Sequence, residues 1–112
     1  MAEPYLGFTT KAAVGTVVDY LESPERQKRR PLRVKSVSMC DLTNHITTIN
    51  EIGIWSGGQR YLIYKSNGTG TAGVPVQKDF DILLGPDDRI YAGFNVATAK
   101  DALTLTVVGE YE

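Results

Sequence analysis

Residues 87–112, which read DDRIYAGFNVATAKDALTLTVVGEYE, decide the fold of this 112-residue chain. Within them, LTLTV at residues 103–107 alternates large aliphatic side chains with threonines, a period of two that places the aliphatic side chains on one face of a strand. Residues 90–94 form a second alternating set, and a polar turn at residues 100–101 is expected to join the two strands as a hairpin. Two strands with one apolar face are marginally stable alone, so the rest of the chain must supply an opposing layer.

Further short alternating segments, separated by turn signals, extend along the whole chain. The clearest signal is Ser56-Gly57-Gly58-Gln59, because glycine accepts the positive φ that tight hairpin turns require. Residues 32–40 alternate but change parity near Lys35 and Ser36, which predicts a β-bulge there. About seven or eight strands, at a spacing of roughly 8–12 residues and without a helical period, predict an all-β fold, an antiparallel β-sandwich or barrel.

One domain, preceded by an arm, is expected. The chain is long enough for a two-layer core without disulfides. Residues 1–13 show no sustained period, so we expect an N-terminal arm there and a single β-sandwich domain at 14–112. Apolar side chains in an arm have little reason to exist unless they are buried, which makes Tyr5, Leu6 and Phe8 candidates for contact with a neighbouring subunit; the alternative is a loosely attached tail.

Composition and charge exclude several classes of protein. With 42% hydrophobic and 22% charged residues the chain is an ordinary globular protein, and its net charge of −1 does not fit a surface that attracts nucleic acid throughout. Cys40 is the single cysteine, so no intrachain disulfide can form. No secretion signal opens the chain and no apolar run approaches the ~20 residues of a membrane span, so we expect a soluble protein that is made in a cytoplasm.

Titratable residues are too few and too scattered to predict catalysis. His45 is the only histidine, so a three-histidine metal site cannot form, and a cysteine–histidine pair could involve only Cys40. The acid pairs at residues 79/81 and 87/88 lack the partner across a cleft that glycosidases use, and their spacing matches no calcium loop. We therefore expect no enzyme activity, no catalytic residue, no metal site and no cofactor.

Half of the basic residues lie in one segment. Residues 26–35 hold six of the twelve Lys and Arg residues and no acid, whereas residues 79–112 hold seven acids and two bases. The segment is either a solvated loop or a docking surface for an acidic face of another copy or of a larger assembly. Aromatic residues that could stack on bases are not interleaved with it, which argues against nucleic-acid binding. Its candidate interface residues are Arg26, Lys28, Arg29, Arg30 and Arg33.

Aromatic residues flank the glycine turn of the predicted hairpin. Core packing accounts for one or two of Trp55, Tyr61 and Tyr64. An exposed pair would suit a protein interface or a carbohydrate platform, because both use aromatic rings. Trp55 and Tyr61 are therefore further interface candidates, and a carbohydrate-binding β-sandwich module that uses all three rings is an alternative function.

Four segments resemble small bacteriophage virion proteins that have a jelly-roll-like β-sandwich. They are RVKSVSMCD at residues 33–41, the hairpin at residues 52–64, LLGPDDRIYA at residues 83–92 and LTLTVVGE at residues 103–110. Proteins of this kind occur as capsid decoration or cement proteins and as neck, tail or fibre components. The resemblance covers residues 32–112 and implies a jelly-roll-like arrangement and a scaffolding role through surface contact.

The resemblance implies a specific function and specific partners. Our first hypothesis is a capsid decoration or cement protein that binds the capsid surface and stabilises the particle; a neck, tail or fibre component is the alternative within the same class. The implied partners are the major capsid protein or other virion proteins, together with further copies of the chain, for which a trimer is the suggested state. No membrane is involved, and the implied location is the virion, after synthesis in the host cytoplasm.

Overall fold

Every regular element of the described chain is a β-strand. The computed structural model describes residues 3–15, 18–43, 49–67, 75–95 and 97–112. The strands are β1 (Glu3–Ala12), β2 (Asp19–Glu22), β3 (Leu32–Asp41), β4 (Ile49–Ser56), β5 (Gln59–Asn67), β6 (Val76–Leu84), β7 (Arg89–Phe94) and β8 (Ala102–Tyr111). Within these ranges no helix is long and apolar enough to cross a lipid bilayer.

The eight strands form two four-stranded antiparallel sheets. Sheet A has the order β1-β8-β3-β6 and sheet B the order β2-β7-β4-β5. The pairs β1·β8, β2·β7, β3·β6 and β4·β5 are those of one long antiparallel ribbon that folds back at the β4–β5 hairpin and wraps into two layers. This is the arrangement of a jelly roll. The predicted antiparallel, jelly-roll-like β-sandwich is confirmed.

The core between the sheets is built from the alternating residues. Leu103, Leu105 and Val107 of β8 are at most 1% exposed and face sheet B, while the threonines between them lie on the other side of the strand. Burial of such apolar side chains is the main favourable term in folding. The other large core residues are Leu32, Val34, Val37, Met39 and Leu84 in or next to sheet A, and Leu21, Ile52, Ile90 and Phe94 in sheet B.

The predicted bulge and hairpin turn are both present. The register of β3 shifts between Val34 and Ser36 against both of its neighbours, β6 and β8. The β4–β5 hairpin turns at Gly57 and Gly58, whose φ angles are 59° and 82°. Glycine adopts such positive φ values without the steric cost that a Cβ atom adds.

The hairpin predicted for residues 87–112 is wrong, because β7 and β8 do not pair with each other. β7 pairs with β2 and β4 in sheet B, and β8 pairs with β1 and β3 in sheet A. The connection crosses between the sheets, and Lys100 turns there with a φ of 72°. The alternating sequence identified the buried face of each strand. It could not identify the partner, because two strands of one sheet and two strands that face each other across a core have the same alternating pattern.

Most of the expected N-terminal arm belongs to the sandwich. Residues 3–12 form β1, which pairs with β8 from Glu3 opposite Tyr111 to Ala12 opposite Ala102. Pro4 and Gly7 interrupt the sequence pattern, and both are tolerated because β1 is an edge strand. The boundary expected at residue 13 is therefore corrected: the sandwich already includes residue 3.

Candidate protein-interaction surface

The titratable residues considered above are placed as follows in the part of the chain that the structure describes. Among them, no group of three His, Cys, Asp or Glu side chains is placed to hold a metal ion. His45 lies outside the described residues, so a Cys40–His45 pair is not placed. Cys40 is buried in β3, and burial, followed by the charge of Asp41, raises the pKa of its thiol. Asp88, one of the paired acids, accepts hydrogen bonds from the Ser56 hydroxyl at 2.6 Å and from the Gly85 N–H at 3.0 Å.

The prediction that Arg26 is an interface residue is wrong, because Arg26 is buried and connects two loops of its own chain. Only 8% of it is exposed. Its guanidinium donates to the carbonyl oxygen of Gly85 at 2.6 Å and to that of Asp88 at 2.7 Å. These bonds tie the loop between β2 and β3 to the turn before β7. Its acceptors lie 59 and 62 residues away in sequence, so the run of basic residues could not distinguish Arg26 from its exposed neighbours.

The rest of the basic segment is exposed but is paired within the chain. The ion pairs are Lys28 and Arg30 with Glu3, Arg29 with Asp87, Arg33 with Asp81 and Glu112, and Lys35 with Asp81. Hydrogen bonds from Arg33 and Lys35 lower the pKa of Asp81, and that from Lys28 lowers the pKa of Glu3. Much of the acidic surface that could complement this segment is thus in the same molecule, and such solvent-exposed pairs contribute little to stability.

Trp55, Tyr61 and Tyr64 do not form one platform. Trp55 lies opposite Arg60, whereas Tyr61 and Tyr64 lie opposite Ile54 and Ile52 on the other face of the hairpin. A register shift next to Ile52, with Ile63 as the extra residue of β5, produces this arrangement. Trp55 therefore faces outward from sheet B, Tyr64 packs against the core, and Tyr61 is 52% exposed at the sheet edge. The three rings therefore cannot form the single carbohydrate-binding surface that the sequence suggested.

The outer face of sheet B carries an aromatic cover that the sequence did not reveal. The ring of Tyr91 lies over Gly53, where a Cβ atom would be 2.5 Å from the ring, and the ring of Tyr20 lies over Gly93 in the same way. Burial raises the pKa of Tyr91. The guanidinium of Arg60 stacks 3.9 Å from the ring centre of Tyr20. The two glycines were the available signal, since a glycine inside a strand marks a close approach.

Three exposed apolar side chains lie together on the outer face of sheet A. Leu6 of β1 is directly opposite Val108 of β8, and Phe8 follows two residues along the same face. They are 71%, 43% and 56% exposed, respectively. We call Leu6, Phe8 and Val108 the apolar strip. Leu6 and Phe8 were predicted contact residues, while Val108 joins them only through the strand pairing.

Beside the apolar strip, β1 borders an open groove. The groove has a volume of about 700 Å³ and lies between β1 and residues 24–28. Tyr5, the third apolar residue of the expected arm, points to the opposite side of β1 from the strip and packs against Tyr111, with ring centroids 5.6 Å apart. Tyr5 is therefore partly buried within its own molecule, unlike Leu6 and Phe8.

A second exposed apolar segment is found on β5, the edge strand at the opposite side of the sandwich. Tyr61, Leu62 and Ile63 are consecutive there and are 52%, 50% and 37% exposed. Two basic residues, Arg60 and Lys65, lie on either side of this segment along β5. We call Tyr61, Leu62 and Ile63 the β5 edge segment.

Comparison with solved structures shows a similar fold in one protein and gives weaker similarities to others. A chain of the cyanophage Pam1 capsid asymmetric unit matches with a TM-score of 0.57 and 18% identity, over 98% of this chain and 85% of that one. A Streptococcus pneumoniae fucose binding module gives a TM-score of 0.48 at 14% identity, over 93% and 69% of the two chains. The Drosophila NLP core gives 0.47 at 9%, over 96% and 98%. No protein-family model and no curated protein matches the chain.

Proposed function

We propose that the chain is a structural protein of a phage virion, which binds the capsid surface as a decoration or cement protein and stabilises the particle. The observation that carries this proposal is the jelly roll that matches, over nearly its full length, a chain of a phage capsid asymmetric unit. At 18% identity the similarity concerns the fold, and the step from fold to role is ours. The role proposed here needs neither catalysis nor a cofactor.

We assign the contact with the capsid to the β5 edge segment. This segment presents three exposed apolar side chains, which lose contact with water when a partner covers them. In an antiparallel pair of two β5 strands centred on residues 62–63, Arg60 of one copy would face Lys65 of the other, so the segment does not suit a second copy of itself. A partner with acidic groups beside an apolar surface fits it better.

Weak contacts suffice for such a role because they are repeated. Each copy bound to a shell lies next to further copies of its partner, and linked contacts add through effective concentration. A stable individual interface buries about 1,600 Å² in total. The expected binding is therefore tight on intact particles and weak on isolated capsid subunits.

The test is binding of the purified chain to particles that were assembled without it, measured by co-sedimentation. Leu62→Asp places a charge in the β5 edge segment and should weaken binding at least ten-fold. Leu83→Asp is the matched control, because Leu83 is 52% exposed, against 50% for Leu62, but lies on the other sheet in β6. Thermal unfolding of both variants shows whether they keep the fold.

Two results would contradict the proposal at different points. If the unaltered chain does not bind the particles, the capsid role is wrong. If Leu62→Asp and Leu83→Asp bind equally well, the role can stand but the β5 edge segment is not the contact. A neck, tail or fibre component, the alternative within the same class, would be found at one end or on the tail of the virion and not over its shell.

A carbohydrate-binding module is a second candidate, now centred on Trp55 alone. Trp55 lines an opening of about 230 Å³ together with Arg29, Asp87 and Arg89. An aromatic ring beside hydrogen-bonding groups suits a sugar, although the volume is below the ~300 Å³ at which ligand pockets usually begin. Because Trp55 is the only tryptophan, a glycan titration should change the fluorescence of the chain under this candidate and leave it unchanged under the first.

A further inference from the structure

β1 lacks the features that protect the other edge strands from pairing with another chain. Exposed edges are usually short, charged or bulged. Of the other three edges, β2 has only four residues, β5 carries a bulge, and β6 carries Lys78, Asp79 and Asp81. β1 is ten residues long, and residues 4–10 are seven consecutive uncharged residues. An edge of this kind calls for a partner strand.

We propose that β1 pairs with β1 of a second copy of this chain, antiparallel about a two-fold axis at Gly7. The two A sheets then join into one eight-stranded sheet. In this register Leu6 lies opposite Phe8 of the second copy, and Phe8 opposite its Leu6. A two-fold interface is self-complementary, so each of these contacts occurs twice.

The charges of β1 fit this register. Glu3 and Lys11 are the only charged residues of the strand, and the pairing places Glu3 of each copy opposite Lys11 of the other. Both side chains are accessible, at 41% and 42% exposure. Glu3 also contacts Lys28 and Arg30, and Lys11 contacts Asp19, but a carboxylate accepts several donors at once and an ammonium group has three N–H donors.

Other registers lose this complementarity. A shift by two residues places Lys11 opposite Tyr5 and leaves Glu3 beyond the end of the second strand. It also separates Leu6 from Phe8. Pro4 has no backbone N–H and so removes one donor near each end of the paired strands in any register. The backbone hydrogen bonds between the two copies are therefore formed mainly by the central residues.

The same pairing brings the two apolar strips together across the axis. Leu6 and Phe8, at 71% and 56% exposure, then cover part of each other's surface as cross-strand neighbours. The position of β1 is fixed within its own chain, because the Thr9 hydroxyl donates a hydrogen bond of 2.9 Å to the Glu22 carbonyl oxygen of sheet B. The groove between β1 and residues 24–28 leaves open space beside the first half of the strand.

The experiment measures the mass of the purified chain by sedimentation equilibrium over a range of concentrations. We expect a dimer. Lys11→Glu places two acids opposite each other at both ends of the paired strands and should weaken dimerisation at least ten-fold. Glu3→Lys should do the same with two lysines, and the double variant Glu3→Lys/Lys11→Glu should restore dimerisation, because opposite charges again face each other.

Matched controls separate this contact from general effects of charge. Leu6→Asp should abolish the dimer, whereas Leu62→Asp, at an edge strand of the other sheet, should leave it intact. A monomer or a trimer of the unaltered chain, a dimer that survives Leu6→Asp, or a double variant that does not recover would each overturn the proposal. A chain that is monomeric alone but loses particle binding with Leu6→Asp would assign β1 to a capsid strand and likewise overturn it. Because the purified chain is measured alone, this result does not depend on the proposed function.

Discussion

Arg26 donates a hydrogen bond to the carbonyl oxygen of Asp88 at 2.7 Å, and this contact fastens the loop between β2 and β3 to the start of β7. The same guanidinium reaches the Gly85 carbonyl, so one buried side chain satisfies two turn carbonyls. Gly85 and Asp88 are half-buried, so loss of these donors costs free energy to the extent that water does not replace them. The most buried basic residue therefore stabilises the fold, whereas the other basic residues of the segment lie at the surface in ion pairs.

Substitution of Arg26 tests this role. Arg26→Met keeps the length of the side chain and removes its donors, so we expect the free energy of unfolding to fall by about 2 kcal/mol. Arg29→Met is the control, because the exposed Arg29–Asp87 pair should contribute less than about 1 kcal/mol. Urea unfolding measures both. Equal losses in the two variants would contradict the structural role of Arg26.

Gly53 should tolerate no side chain. A Cβ atom there would overlap the carbonyl oxygen of Tyr61 and the ring of Tyr91. Gly53→Ala therefore forces the hairpin or the ring to move, and we expect a loss of about 1–3 kcal/mol in thermal or urea unfolding. Gln77→Ala, on the exposed face of β6, should change stability by no more than about 0.5 kcal/mol. Unchanged stability of Gly53→Ala would show that the Tyr91 ring does not lie over Gly53.

Cys40 should be protected in the folded protein. Burial, and then the negative charge of Asp41, raise the pKa of its thiol, so little thiolate forms at pH 8. We expect a disulfide reagent such as DTNB to react at least ~10-fold more slowly with the folded chain than with the chain in denaturing urea. Equal rates in the two conditions would show that β3 opens readily at this position.

The exposed ion pairs predict how stability depends on pH. Hydrogen bonds from Arg33 and Lys35 lower the pKa of Asp81, and the bond from Lys28 lowers the pKa of Glu3. Because the folded-state pKa values lie below those of the unfolded chain, about 4, the pairs stabilise the fold above that pH and lose their effect as the pH falls through the folded-state values.

Asp81→Asn tests the sign of this dependence. The variant should be slightly less stable than the unaltered chain at pH 7, and the difference should shrink towards zero as the pH falls through the lowered pKa of Asp81 in the folded chain. About 1 M salt at pH 7 should shrink it as well, since the pairs are exposed to solvent. A difference that grows in acid would contradict the assigned pairing.

Strands and turns were predicted correctly where neighbouring residues alone determine them. The alternation at residues 103–107, the glycines of the β4–β5 turn and the parity change at Ser36 each identified a feature that the structure contains. Sheet partners could not be read in this way, which is why residues 87–112 looked like a hairpin. β1 was missed because Pro4 and Gly7 interrupt its period, and an edge strand tolerates both.

The interaction surface was predicted only in part. Leu6, Phe8 and Tyr61 are exposed, and their role as interface residues stays a prediction. Arg26 was misplaced because its burial depends on carbonyl groups distant in sequence. Trp55 and Tyr61 were grouped because both flank the glycine turn, but the turn pairs Trp55 with Arg60 and so places Tyr61 on the opposite face. The bulge in β5, which has no clear sequence signal, determines the face of Tyr64.

Cryo-electron microscopy of purified virions tests the central claim most directly. The proposed function predicts repeated density on the outside of the shell into which this eight-stranded sandwich fits, with the β5 edge segment against the capsid. Particles made without the chain should lack that density. Complete shells that carry no such density, in virions whose other proteins are all present, would contradict a decoration or cement role.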